Sequence, residues 1–303
     1  MLRAQSSERD AIMKRNNKYF MSVMAAAIGF AIPGYSQLIL DETWADGSRA
    51  EQNLPTESQW FAANRASNFV TTAGSMTFYT DPTGSRAGLT YFSASGSPVS
   101  LLDGQSLVTT LVFTPTGIGI SNNSGNMRFG LVDYTGGTRL TGDGTSSGMN
   151  GAGVTGYSLF LVVTPDFGGS PMSILERTTP SNADLLGSGA AWTSLGSGGG
   201  VVAGDPGFVS GTEYTLQFTV TRNGAAADIT TVIYGSGMAL TNTVSDPSGS
   251  FTFDAFAIRN SRGDQTAEAF QFTQFMVDIV PEPSTAALAG LGILALAFRY
   301  RRR

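Results

Sequence analysis

From residue 38 onward apolar and polar residues alternate with a period of two, and Gly, Pro, Asn and Asp interrupt the alternation. A period of two puts successive side chains on opposite faces of an extended chain, so the pattern predicts strands. Residues 212–222 (TEYTLQFTVTR) show it best: Tyr214, Leu216, Phe218 and Val220 fall on one face, with Thr, Gln and Arg on the other. Residues 106–114 (SLVTTLVFT) alternate and are rich in β-branched side chains, which predicts a strand that Pro115 ends. Further strands are expected at 38–40, 68–72, 75–80, 88–92, 127–133, 157–164, 173–178, 251–259 and 267–277. Residues 228–234 and 238–244 form a hairpin through Gly235-Ser236-Gly237. Residues 41–58, the Gly-rich 136–156 and 186–204 lack periodicity and read as loops.

About a dozen short strands with no helical stretch between them predict an all-β fold, an antiparallel two-sheet β-sandwich of jelly-roll type. The sandwich is expected to be one domain over residues 37–279. Two smaller β domains divided in the Gly-rich loop before Tyr157 are the alternative. No Pro/Ser-rich linker divides the region, and no fixed-period repeat is present.

The two ends break the pattern. Met13-Lys14-Arg15-Asn16-Asn17-Lys18 is a basic segment, residues 19–32 are apolar, and Pro33-Gly34-Tyr35-Ser36 offers small residues before Gln37. This order is that of a signal peptide over residues 1–36, and translation from Met13 would give the more usual form. At the other end Pro281-Glu282-Pro283 precedes an apolar run at 286–298 and the basic cluster Arg299, Arg301, Arg302 and Arg303. The apolar run rises about 20 Å as a helix, short of a roughly 30 Å hydrocarbon core, and residues 284–300 extend it toward a span. The arginines favour the cytoplasmic side, leaving the body outside. Prolines resist helix continuation, so Pro281, Glu282 and Pro283 should be extended and accessible. A permanent tail anchor is the alternative to a processed tail.

Composition narrows the chemistry. There are 38 glycines and neither cysteine nor histidine, which removes disulfides, thiolate and imidazole metal sites, and nucleophile systems that need histidine. Between Gln37 and Val280 there are nine Arg, no Lys and twenty Asp plus Glu, a net charge of −11. Such a body does not suit nucleic acid, whose phosphates need a basic surface.

Candidate sites are few. Glu176, Glu213, Asp254 and Glu268 are strand-borne acids without a partner at the alternate position on the same face, so no retaining-glycosidase pair is legible. Glu176 beside Arg177 reads as an exposed edge pair. Asp143 with Asn150 is the nearest approach to a calcium loop, at the wrong spacing for an EF-hand; no metal or cofactor is expected. Gly142-Asp143-Gly144 and residues 196–200 read as flexible connections, since neither carries a phosphate-loop signature. Trp44, Trp60 and Trp192 lie in or beside predicted loops and are candidate glycan-contact platforms; the alternative is that they plug the core.

The stretch from Leu101 to Leu107 (LLDGQSL) and that from Phe253 to Arg259 (FDAFAIR) resemble phrases in concanavalin-like and laminin-G-like jelly rolls of exported bacterial proteins. The ordered Pro-Glu-Pro, apolar helix and Arg-rich end over residues 280–303 resembles the PEP-CTERM sorting domain. That resemblance implies signal peptidase and an exosortase-like enzyme as processing partners and cleavage near Pro281-Glu282-Pro283. It also implies passage from the inner membrane to the envelope or extracellular matrix of a Gram-negative bacterium. The expected function is that of an exported, non-catalytic, glycan-associating protein. A polysaccharide-active enzyme and a tail-anchored surface domain with a protein partner are the alternatives.

Overall fold

Seventeen strands run through the described residues: β1 (Gln37–Glu42), β2 (Trp60–Ala62), β3 (Phe69–Thr72), β4 (Ser75–Tyr79), β5 (Ala87–Tyr91), β6 (Val99–Ser100), β7 (Gln105–Ile118), β8 (Met127–Asp133), β9 (Thr155–Leu161), β10 (Met172–Arg177), β11 (Trp192–Gly198), β12 (Tyr214–Asn223), β13 (Ala226–Gly235), β14 (Met238–Asp246), β15 (Thr252–Phe253), β16 (Ala255–Asn260) and β17 (Ala267–Pro281). The structure, a computed structural model, describes residues 36–81, 84–119, 127–144, 149–180, 184–187, 191–261 and 266–281. The helices expected in the signal peptide and over 284–300 lie outside them. Among the described residues no helix is long and apolar enough to cross a membrane.

The strands make two antiparallel sheets. The first has the order β14-β13-β12-β7-β17-β4-β3, with β1 also on β17; the second has the order β11-β10-β9-β8-β16-β5-β2; β15 and β6 form a small third pair. Residues Gln37–Val280 form one compact unit. Phe113, Phe218 and Phe270 from the first sheet and Phe129, Leu159 and Phe256 from the second share one buried core.

The sheets differ in how they meet water. In β12 and β13 buried and half-buried residues alternate, as in an antiparallel sheet with one solvated face. In β5, β8 and β16 almost every residue is buried, because a second apolar cluster covers the other face of their sheet. Val132, Tyr134, Met149, Val154, Leu185, Leu186 and Ala257 belong to it. Met149, Gly151, Val154 and Gly156 of the Gly-rich 136–156 stretch are thus buried in this cover, and its other described residues are half-buried or exposed.

Four local expectations are corrected. Strand β7 continues through Pro115. Its pairing with β12 stops at Phe113↔Tyr214, so the missing proline N–H interrupts no bond of that ladder, and the Pro115 carbonyl accepts the Gly211 N–H at 2.8 Å. Residues 192–198, expected in a loop, form the edge strand β11, paired only with β10; its Ser, Thr and Gly carry no apolar alternation to read. Residues 251–259 divide into β15 and β16 around Asp254. The β13–β14 turn is tighter than expected: Gly235 pairs with Met238, leaving Ser236 (φ 48°) and Gly237 (φ 80°) as a two-residue turn of positive φ.

Candidate binding cleft

The three tryptophans are not surface platforms. Trp44 and Trp60 are 0% and 1% exposed, tilted against one another at 6.1 Å, with Trp60 edge-on to Phe275 at 5.5 Å. Trp192, 8% exposed, donates its indole N–H to the Leu185 carbonyl at 2.7 Å. Burial stabilises these large rings in the core, so no ring face is left for a sugar. Pro281 closes β17, half-buried; Glu282, Pro283 and Arg299, Arg301, Arg302 and Arg303 lie outside the described residues.

Arginines fasten the covering layer to the second sheet. Arg177 is 2% exposed and donates to the carbonyls of Val154, Leu185 and Gly151, so the exposed edge pair expected with Glu176 is corrected. Arg128 donates to Leu186 O at 2.6 Å and lies over the Phe160 ring; burial, then the charge of Arg259, pull its pKa down to about 10. Arg259 is paired with Asp184, whose other oxygen accepts the Met149 N–H at 3.0 Å. Arg49 holds Asp143 bidentately at 3.0 and 2.7 Å, and Asp143 also accepts the Ala62 N–H. The tip of the Gly142-Asp143-Gly144 segment is therefore clamped to β2 rather than flexible. All eight described arginines are hydrogen-bonded to carboxylates or main-chain carbonyls, a demand that Arg meets well with its fixed fork of donors.

At one corner of this layer a cleft of about 460 Å³ opens. Phe61 from β2 and Tyr91 from β5 line its floor, edge to face at 5.8 Å. Gln52 and Leu54 stand on one side, Arg139 and Leu140 on another. The walls are tied down. Gln52 donates to the Tyr91 carbonyl at 3.0 Å and accepts from the Gln59 N–H; the Tyr91 hydroxyl accepts the Leu140 N–H at 2.8 Å. Arg139 lies 4.3 Å over the Tyr91 ring, donates to the carbonyls of Ser93 and Ala94, and pairs with Asp254 at 2.7 Å. Burial raises the Asp254 carboxyl above its usual range, although the Tyr134 N–H and Arg139 work the other way. Burial likewise raises the Tyr91 phenol. The Ser93 hydroxyl, buried at the cleft wall, has no hydrogen-bond partner.

A second cleft of about 460 Å³ adjoins the first, with Leu54 and Ser93 lining both. Its other walls include Leu38 and Ile39 of β1, Pro98, Val99 and Ile279.

The acids do not gather into a hydrolytic pair. Glu176 is on β10, Glu268 on β17, Glu213 precedes β12 and Asp254 separates β15 from β16, so no two of them share a strand. Glu176 has a different neighbour: burial and the charge of Asp246 raise its carboxyl. Asp246 itself accepts the buried Tyr157 hydroxyl at 2.8 Å. Asp143 and Asn150 serve separate partners, Asn150 accepting the Ala152 N–H. Among the described residues no group of three or more acids could hold a metal ion. Sequence reasoning missed Gln52, Phe61, Tyr91 and Arg139. Only Arg139, a lone cation within a Gly-rich stretch, carried a signal that could have been followed.

Residues 280–303 match the family model described as the PEP-CTERM protein-sorting motif. No curated protein matches the chain. Among solved structures the chain is similar to peanut lectin crystallised with a 9mer peptide, at 8% identity and a TM-score of 0.45, covering 82% of this chain and 98% of that one. It is similar to the exoplasmic/lumenal domain of VIP36 in its Ca2+/Man3GlcNAc-bound form, at 13% identity and a TM-score of 0.47, covering 80% and 90%. It is also similar to the carbohydrate recognition domain of Emp46p in a metal-free form, at 14% identity and a TM-score of 0.44, covering 78% and 93%.

Proposed function

We propose that this chain is an exported, non-catalytic protein of the bacterial envelope or extracellular matrix whose β-sandwich associates with polysaccharide. The observation that carries this reading is the sorting motif at 280–303, which begins where the last strand of the sandwich ends, at Pro281. A folded all-β cargo followed directly by a sorting tail suits delivery of the cargo outside the cytoplasm. In this reading residues 1–36 are removed by signal peptidase, and residues 284–300 hold the protein in the inner membrane with Arg299 and Arg301 to Arg303 on the cytoplasmic side. An exosortase-like enzyme then acts near Pro281, Glu282 and Pro283. The glycan-associating role is supported by an open, mixed apolar and amide-bearing cleft and by acids that are dispersed or engaged. Fractionation tests the export: the body should leave the inner-membrane fraction, and a body that stays in the cytoplasm overturns the reading.

Enzymatic action on polysaccharide remains a second reading because of one observation, the raised carboxyl of Glu176 beside Asp246 and Tyr157. A carboxyl raised by burial holds its proton more tightly than an ordinary one, which suits a general acid. Reducing-sugar release that Glu176→Gln abolishes would establish it.

A further inference from the structure

The two adjoining clefts form a trough, and we infer that this trough binds a linear, electrically neutral polysaccharide, resting on the reading of the body as glycan-associating. Leu54 and Ser93 line both halves, so the two clefts meet at these residues and an occupant longer than one sugar ring would pass over them. Each half, at about 460 Å³, lies within the roughly 300–1,000 Å³ of small-molecule sites. The first half offers what a pyranose needs: Leu54, Phe61 and Leu140 for its C–H faces, and Gln52, Gln59 and Thr141 for its hydroxyls. The second half adds Leu38, Ile39, Val99 and Ile279.

Charge decides between polymers. Arg139 is the basic residue at the trough, and it is already committed to Asp254, to two carbonyls and to the Tyr91 ring. A uronate or sulfate ester would thus meet no free side-chain cation among these lining residues, and it would approach a body of net charge −11 without a lysine. The same commitments fix the walls before any ligand arrives, so binding orders few side chains.

The test uses the full-length protein in a zwitterionic detergent, run by affinity electrophoresis through dextran, mannan and galactan and, in parallel, alginate and polygalacturonate. At least one neutral polymer should retard the wild type, and neither uronate should. Leu54→Glu, at an exposed position on the wall shared by both halves, should weaken retardation at least tenfold, and Gln52→Ala severalfold, with unchanged circular dichroism and melting. Retardation by a neutral polymer that Leu54→Glu leaves intact overturns the trough while leaving glycan association standing. Stronger retardation by alginate or polygalacturonate overturns neutrality. Retardation by none of the five polymers overturns the glycan-associating reading itself, and the trough with it.

Discussion

Arg139 and Asp254 lie 115 positions apart in the chain and meet at 2.7 Å, with the carboxylate 2% exposed and the guanidinium 17%. The pair joins the Gly-rich covering layer to the break between β15 and β16, and it sets the position of the Tyr91 ring at the cleft floor. Removing one partner strands the other charge away from water. Arg139→Leu should cost about 3–5 kcal/mol, read as a lower urea midpoint at unchanged slope. Asp254→Asn keeps an acceptor for the Tyr134 N–H and should cost less. A loss under about 1 kcal/mol for Arg139→Leu would show that water reaches Asp254 and that the pair does not organise the cleft.

Stability should increase on mild acidification. Burial raises the carboxyls of Glu42, Glu176 and Asp254 above their ordinary values, so the folded protein binds these protons more tightly than the unfolded chain does. Their contribution is fully present below the ordinary carboxylate values of about 4 and is lost as pH rises through the raised ones. Self-repulsion within the acidic body has the same sign. Asp143, which Arg49 holds below its usual range, opposes this: its contribution is present above about pH 4 and is lost on further acidification. The melting temperature should therefore rise from pH 7 to 5 and turn over near or below 4. A steady fall from pH 7 downward would contradict this.

The first sheet was legible and the covered face of the second was not, for a physical reason. Tyr214, Leu216, Phe218 and Val220 alternate with Thr, Gln and Arg because β12 has one wet face, and a period of two records that asymmetry. Strands β8 and β16 are buried on both faces, so MRFGLVD and AFAIRN show apolar content without showing what covers them. The cover is made by scattered apolar residues such as Met149, Val154, Leu185 and Leu186, held down by arginines bonded to carbonyls, and a carbonyl partner leaves no mark on the sequence. The tryptophans misled in the opposite direction. Their neighbourhood is loop-like, but Glu42 accepts the N–H groups of Trp44 and Ser58 at 2.7 and 2.8 Å and turns that stretch inward. The cleft needed Gln52, Phe61, Tyr91 and Arg139 together, and no spacing in the chain announces such a meeting.

Gly153 shows how closely the covering layer is folded on itself. Its φ is +72°, and an added Cβ would lie 1.9 Å from the Gly136 carbonyl oxygen. Gly153→Ala thus combines left-handed strain with a backbone clash that no side-chain rotation relieves. We expect a loss of about 2–4 kcal/mol by urea denaturation, together with faster proteolysis between residues 134 and 154. Gly142→Ala, where an added Cβ meets nothing within 4 Å, is the control and should be nearly neutral. Equal behaviour of the two variants would mean that the layer is not packed as described.

The ends of the sandwich constrain where the mature protein can be cut. Strand β1 lies antiparallel to β17 in the register Gln37↔Ile279, Leu38↔Asp278 and Leu40↔Val277, and the Gln274 side chain donates to Asp41 at 2.7 Å. Cleavage amino-terminal to Ile279 would strip the partner of Gln37, and cleavage beyond Gln37 would strip the partner of Ile279. Either cut would expose apolar edge groups that the pairing covers. The mature chain should therefore begin at or before Gln37 and end at or beyond Ile279, which intact-mass measurement of the released protein reads in one experiment. Glu282→Ala, or removal of Arg301 to Arg303, should leave the carboxyl end uncut and the protein in the membrane fraction. A released species ending before Ile279 would show that processing precedes folding of this strand pair, and full-length protein in the wild-type matrix would show that the tail is not processed at all.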